Sequence, residues 1–136
     1  MNTLVLFYSY SGKTKAIAEE FAAKESAVLS EIKDVKRPGK LKAFTVGCHS
    51  AMKGKSWPIE PPDVNLAEYS RLILLAPIWA NNPPPAFNAI LEQLPSGKTV
   101  VVKMVSASGK SKCRERVDTV IQSRGNILES FEDIKA

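Results

Sequence analysis

Acidic residues are scarce where basic ones gather. Residues 33–55 carry Lys33, Lys36, Arg37, Lys40, Lys42, Lys53 and Lys55 against the single acid Asp34, in a chain of net charge +5. A patch of one sign is either a solvated face or an attractor for an acidic partner protein, an anionic ligand or nucleic acid. Nucleic acid would call for aromatic rings interleaved with the cations. Within the patch only Phe44 meets that need, so nucleic acid is not the expected partner.

Cysteine and histidine are equally sparse. Cys48 and Cys113 stand far apart, which excludes a disulfide scaffold and fits a reducing compartment. His49 is the lone histidine. It neighbours Cys48 in sequence, but adjacent side chains rarely point the same way and no further Cys/His cluster exists, so no metal site is expected. No apolar run is long enough to cross a bilayer. The run at residues 4–8 lacks a preceding basic region, so no signal peptide is expected and cytoplasmic residence is the default. Repeats and low-complexity tracts are absent. A length of 136 residues, 44% hydrophobic and 24% charged, is that of one ordinary globular domain spanning residues 1–136.

What is present alternates in period. Residues 3–8 (TLVLFY) form a near-continuous apolar run, as in a strand covered on both faces. From Thr14 onward Ile17, Ala18, Phe21 and Ala22 recur at helical spacing. Further strands are predicted at residues 27–32, 71–76, 99–105 and 127–134, the last less apolar and so at an edge. Helices are predicted at residues 86–94 and 112–124, the second closed by Gly125. Residues 36–70 keep no clean period. Pro38-Gly39 and Pro58, Pro61 and Pro62 interrupt them, leaving a broken helix near residues 41–52 and then an extended approach to the third strand. Five strands with intervening helices predict a three-layer α/β/α sandwich around a parallel sheet of order 2-1-3-4-5. Ligands of such sheets bind beyond the carboxyl ends of the strands, near the switch between strands one and three.

The loop after strand one, Ser9-Tyr10-Ser11-Gly12-Lys13-Thr14, ends in a Gly-Lys-Thr that invites comparison with a triphosphate-binding loop. That loop needs a glycine five positions before Gly12, where Phe7 stands, and the segment is too short to wrap a triphosphate. What remains is a set of small donors at a helix start, suited to a phosphate monoester. Lys13 and Lys15 oppose the helix dipole unless an anion is bound; the alternative is a capped helix with solvated lysines.

The loop after strand three runs Pro77-Ile78-Trp79-Ala80-Asn81-Asn82-Pro83-Pro84-Pro85, with no charged residue between Arg71 and Glu92. A tryptophan on a stiff uncharged loop is either a stacking platform for a flat ring or a core or interface residue. The loop after strand four, Ser106-Ala107-Ser108-Gly109-Lys110-Ser111, is another small-residue turn at the same sheet edge, able to offer backbone N–H groups. Together the three loops suit a ligand with a phosphate at one end and a planar ring at the other. Residues 53–57 (KGKSW) form either a mobile basic flap near the ligand or a solvated loop.

These motifs resemble the flavodoxin-like FMN proteins, specifically a short flavodoxin subfamily. Residues 9–14 match the phosphate motif S/T-x-S/T-G-x-T, and residues 70–94 look like the strand, flavin loop and Pro-rich helix start. The resemblance implies FMN as cofactor. Ser9, Tyr10, Ser11, Gly12, Lys13 and Thr14 would form its phosphate loop. Pro77, Ile78, Trp79, Ala80 and Asn81 would line the isoalloxazine, and Ser106, Ala107, Ser108 and Gly109 would bond its pyrimidine edge. Two departures matter. The chain is basic where flavodoxins are acidic, which is expected to raise the potential of full reduction. No glycine occurs between Gly54 and Gly97, so the one-electron-reduced flavin is expected to gain less from a flipping peptide.

Two related foldings are excluded. Response-regulator receivers need an acidic pair after strand one, where this chain has Ser9-Tyr10, and an aspartate ending strand three. Neither cysteine is followed by arginine at the spacing of a low-molecular-weight phosphatase loop. The functional expectation is an FMN electron carrier docking a redox partner protein, acidic to match the basic surface, with no membrane and as a monomer or homodimer. The alternative is an NAD(P)H-dependent quinone or flavin reductase, a class that is usually longer, and a third is a phospho-ligand binding module without redox role.

Overall fold

The computed structural model describes residues 2–136. In chain order the main elements are β1 (Thr3–Phe7), α1 (Lys13–Glu25), β2 (Val28–Glu31), α2 (Lys40–Lys42), α3 (Cys48–Met52), β3 (Arg71–Pro77), α4 (Pro85–Leu91), β4 (Thr99–Ser106), α5 (Arg114–Ser123) and β5 (Ile127–Lys135). The strands form one parallel sheet in the order β2-β1-β3-β4-β5, as predicted.

The central strands read as unbroken apolar runs because both their faces are covered. Leu4, Leu6, Leu72, Leu74, Val100, Val102 and Met104 point to the side of α4 and α5, where they meet Phe87, Ile90, Leu91, Val117 and Ile121. Val5, Phe7, Ile73, Leu75 and Val101 point to the other side and pack on α1 through Ala18 and Ala22. Small alanines let α1 lie close to the sheet, with Ile17 and Phe21 flanking the contact. β2 and β5 are the sheet edges; at β5 a register shift beside Val100 and Val101 and its alternating charges blunt the edge.

Local signals explain the ends. Pro85 occupies the first turn of α4, where its missing N–H costs nothing. Gly125, at φ 79°, follows α5 and returns its N–H to Gln122. Ser26 closes α1 in a left-handed conformation without glycine. The broken helix takes a definite form: α2, a π-helical stretch (Ala43–Gly47) and α3 run on as one ridge. Leu66–Glu68 adds a short 3-10 turn capped by Asn65. No helix among the described residues is long and apolar enough to cross a membrane.

Candidate functional site

α1 begins at the tip of the first loop. Gly12, at φ 102°, supplies the left-handed turn that starts it, and its N–H donates to Ser9 Oγ at 3.1 Å. Among the described residues no side chain caps the helix, so its first-turn N–H groups keep free donor capacity. Ser9 and Thr14 are buried behind the loop, while Ser11, Gly12 and Lys13 are exposed. The Arg37 guanidinium stiffens the loop from outside. It donates to the carbonyl oxygens of Ser9 and Tyr10 and lies 4.5 Å from the Tyr10 ring centre. The Tyr10 hydroxyl in turn donates to the Pro38 carbonyl at 2.8 Å.

The loop after β3 forms a tight two-residue turn. Trp79 and Asn82 exchange backbone hydrogen bonds of 2.8 and 3.0 Å, and Ala80 and Asn81 between them sit at φ 51° and 66°. Both central residues with positive φ make a type I′ turn, normally the province of Asn and Gly. Asn81 fits; Ala80 is strained there. The strain is held by tethers: Lys112 N–H donates to the Asn81 carbonyl, Asn82 Nδ2 to the Ala80 carbonyl, and Arg116 Nη1 to Asn82 Oδ1. Arg116 also donates to the carbonyls of Ala51 and Met52, tying the turn to the end of α3. We expect Arg116→Ala to cost about 1–2 kcal/mol in urea unfolding, and Arg116→Lys to recover only part, because an ammonium lacks the fork. Full recovery by lysine would show that the fork is unimportant.

The turn sets Trp79 among aromatic edges. Tyr8, Tyr10 and Trp57 approach its ring edge-on at centroid distances of 6.1, 5.8 and 6.4 Å. Gly47, in the π-helical stretch, leaves the space the indole occupies: a Cβ there would lie 2.7 Å from Trp79 Cζ3. Beneath, the Tyr8 hydroxyl donates to Asp34 Oδ2 at 2.6 Å. Burial, helped by that carboxylate, pushes the Tyr8 hydroxyl pKa up. Burial also pushes the Asp34 carboxyl up, although the Tyr8 bond and the Arg37 charge pull the other way.

Between the two loops and the ridge lies a cavity of about 740 Å³, lined by Tyr10, Ser11, Lys40, Ala43, Phe44, Cys48, Ile78, Trp79 and Ala80. Its size and largely apolar walls suit a flat organic ring. Five sequence-predicted residues meet there: Tyr10, Ser11, Ile78, Trp79 and Ala80. Ser106, Ala107, Ser108 and Gly109 do not line it. Their turn is closed on itself by Gly109 N–H to Ser106 Oγ, and Gly109 lies against Lys135. Burial pushes the Cys48 thiol up, away from thiolate, and His49 points to solvent. No group of three or more Cys, His, Asp or Glu is placed to hold a metal among the described residues.

Sequence reasoning missed the ridge's share of the site. Gly47, Lys40 and Phe44 come to the cavity or to Trp79 only through tertiary folding, and no periodicity marked them; Trp57, in the segment singled out in the sequence, reaches Trp79. Residues 53–57 form an anchored loop: Lys53, Lys55 and Ser56 are exposed, while Lys55 N–H bonds the Ser50 carbonyl, Asn88 Nδ2 bonds the Lys55 carbonyl and Trp57 is half-buried, which fits the solvated loop better than the flap.

No protein-family model matches the chain, and no curated protein matches its sequence. Solved structures do. A flavoprotein in complex with FMN from Lactobacillus acidophilus superposes with a TM-score of 0.74 at 20% identity, over 96% of this chain and 91% of that one. The apo-form of the flavoprotein from the same organism, by NMR, gives 0.71 at 22% identity over 97% and 92%. Oxidised flavodoxin 2 from Bacillus cereus gives 0.58 at 20% identity over 100% and 86%. The fold is therefore that of the flavodoxin-like α/β proteins. Within that class the chain is similar in extent to the Lactobacillus flavoprotein.

Proposed function

We propose that this protein binds FMN non-covalently and serves as an electron carrier. The carrying observation is the convergence of the first-loop residues Tyr10 and Ser11 with Ile78, Trp79 and Ala80 on one apolar cavity beside an uncapped helix start. The two ends of such a site match the two ends of the ligand. The N–H groups of α1 and the hydroxyls of Ser11 and Thr14 would hold the phosphate. Ile78, Trp79 and Tyr10 would flank the ring, and the exposed rim at Phe44, Lys40 and Ala80 would leave an edge open to a partner. FMN supplies one- or two-electron redox chemistry; the chain binds, orients and excludes water. The Ser106–Gly109 turn would reach the ring edge only by opening its internal bond. With no glycine in the Trp79 turn and tethers on it, little rearrangement around the ring is expected on reduction.

Titration of free FMN with purified protein tests this reading. We expect saturable quenching of flavin fluorescence, and binding of riboflavin at least about tenfold weaker because it lacks the phosphate. Gly12→Val, which forces a β-branched residue to φ 102°, is expected to reduce FMN affinity toward that of riboflavin. Unchanged FMN fluorescence would overturn the cofactor. Appreciable steady-state NAD(P)H oxidation with a quinone and no partner protein would replace the carrier by a reductase.

A further inference from the structure

The ridge of α2, the π-helical stretch and α3 exposes more apolar surface than its own fold uses. Leu41 and Phe44 are 78% and 79% exposed and lie three residues apart on one helical face. Val35 and Val46, 61% and 50% exposed, line a groove of about 280 Å³ with Lys36, Lys42, Trp57 and Pro58. Single exposed apolar residues such as Leu41 are ordinary; Val35, Val46, Trp57 and Pro58 gathered around one groove mark an interaction site.

Charge indicates the occupant. Residues 35–59 contain Lys36, Arg37, Lys40, Lys42, Lys53 and Lys55 and no acid. Arg37 is committed to the first loop, and Lys42 lies 5.7 Å from the Trp57 ring centre. Among the described residues no carboxylate pairs with Lys36, Lys40 or Lys42. We propose that this ridge and groove dock an acidic redox protein, with partner carboxylates meeting Lys36, Lys40 and Lys42 and a partner apolar side chain entering the groove between Val46 and Trp57. The redox character of the partner rests on the flavin reading above; the charge and shape arguments do not.

Competing occupants fit less well. A single strand of nucleic acid needs open ring faces, yet Trp57 is half-buried, with Trp79 at one edge and Lys42 over it. A lipid surface takes up convex apolar faces, whereas part of this patch is concave and receives a side chain. The groove also adjoins the cofactor cavity through the Trp57–Trp79 contact, so a partner seated there stands beside the proposed flavin without blocking Tyr10 or Ser11.

The test uses the full chain with a plant-type [2Fe–2S] ferredoxin as acidic probe and a basic cytochrome c as control, measured by calorimetry. Ferredoxin is expected to bind at low salt and about tenfold more weakly at about 0.3 M salt, where the Debye length is short. Lys36→Glu/Lys42→Glu, both outside the cofactor cavity, is expected to weaken ferredoxin at least about tenfold while FMN quenching is unchanged. Val46→Asp is expected to weaken it as well. Equal binding of cytochrome c, wild-type affinity in the charge-reversed variant, or tighter binding of anionic vesicles or oligo-dT would each overturn the proposal. Failure to bind FMN, with charge-dependent ferredoxin binding intact, would remove the cofactor reading and leave the docking face standing.

Discussion

Gly47→Val is expected to destabilise the protein and to distort the cavity, although a helical glycine is normally a weak point. By propensity alone, Gly→Ala inside a helix gains about 1 kcal/mol, and Gly47 has ordinary right-handed helical angles, φ −63° and ψ −48°. Space reverses the sign. An added Cβ meets Trp79 at 2.7 and 3.1 Å and Trp57 at 3.4 Å. The indole cannot swing aside freely, because Tyr8 and Tyr10 press its edges and the Trp79–Asn82 turn fixes its backbone. Overpacking of this kind costs about 1–3 kcal/mol, so we expect Gly47→Ala to be net destabilising and Gly47→Val more so. Because Trp79 lines the cavity, FMN affinity should fall about tenfold or more with valine. Adding Trp79→Phe should restore part of the stability lost in Gly47→Ala, a coupling visible in a double-mutant cycle from chemical denaturation. A Gly47→Ala protein more stable than wild type would refute the seat.

The second large effect concerns Tyr8 and Asp34. Replacing Tyr8 by phenylalanine leaves Asp34 Oδ2 without its donor, beside an Oδ1 that has no partner among the described residues. We expect a loss of about 1–3 kcal/mol at pH 7. The pH dependence is diagnostic. The folded-state pKa of Tyr8 is raised above its ordinary 10.0. The native state therefore holds this proton more tightly than the unfolded chain does. Its contribution is fully present below pH 10 and is lost as pH rises toward the folded value, at up to about 1.4 kcal/mol per pH unit. Tyr8→Phe should lack this alkaline limb. Asp34 is raised as well, from 3.8. Its contribution is present below that value and is lost as pH rises through the folded one, so the ionised carboxylate is a liability at neutral pH. Asp34→Asn, which keeps an acceptor for Tyr8, is expected to match or exceed wild-type stability at pH 7 and to converge with it near pH 3. Asp34→Ala, which removes the acceptor, should fall below both. Equal losses for Asn and Ala at pH 7 would show that the charge itself is needed, through Arg37.

The strands and their order were legible because a buried parallel strand must be apolar on both faces. Leu4 to Phe7 and Leu72 to Ala76 are the runs that carried the reading. Four strand starts, at Thr3, Arg71, Thr99 and Ile127, stand where predicted, and the other ends moved by up to three residues. Capping geometry sets them, as where Pro85 rather than Ala86 begins α4 and Ser26 ends α1 without glycine. In residues 36–70 no single period survives, because a π-helical stretch has a different turn and Pro58, Pro61 and Pro62 interrupt the approach to β3.

The sequence by itself determined the sheet, the small-residue loop at Gly12 and the placement of Trp79 beyond the third strand. These depend on neighbours in the chain: periodicity, small residues at a helix start, prolines around a turn. Only the tertiary structure decided which distant groups meet at the site. Gly47 gives Trp79 its room, Arg116 ties its turn to α3, Trp57 closes its edge, and Ser106–Gly109 stays outside the cavity. Such contacts carry no local signature, because each depends on how the ridge of residues 40–52 packs against the sheet's carboxyl edge rather than on the residues beside it in sequence.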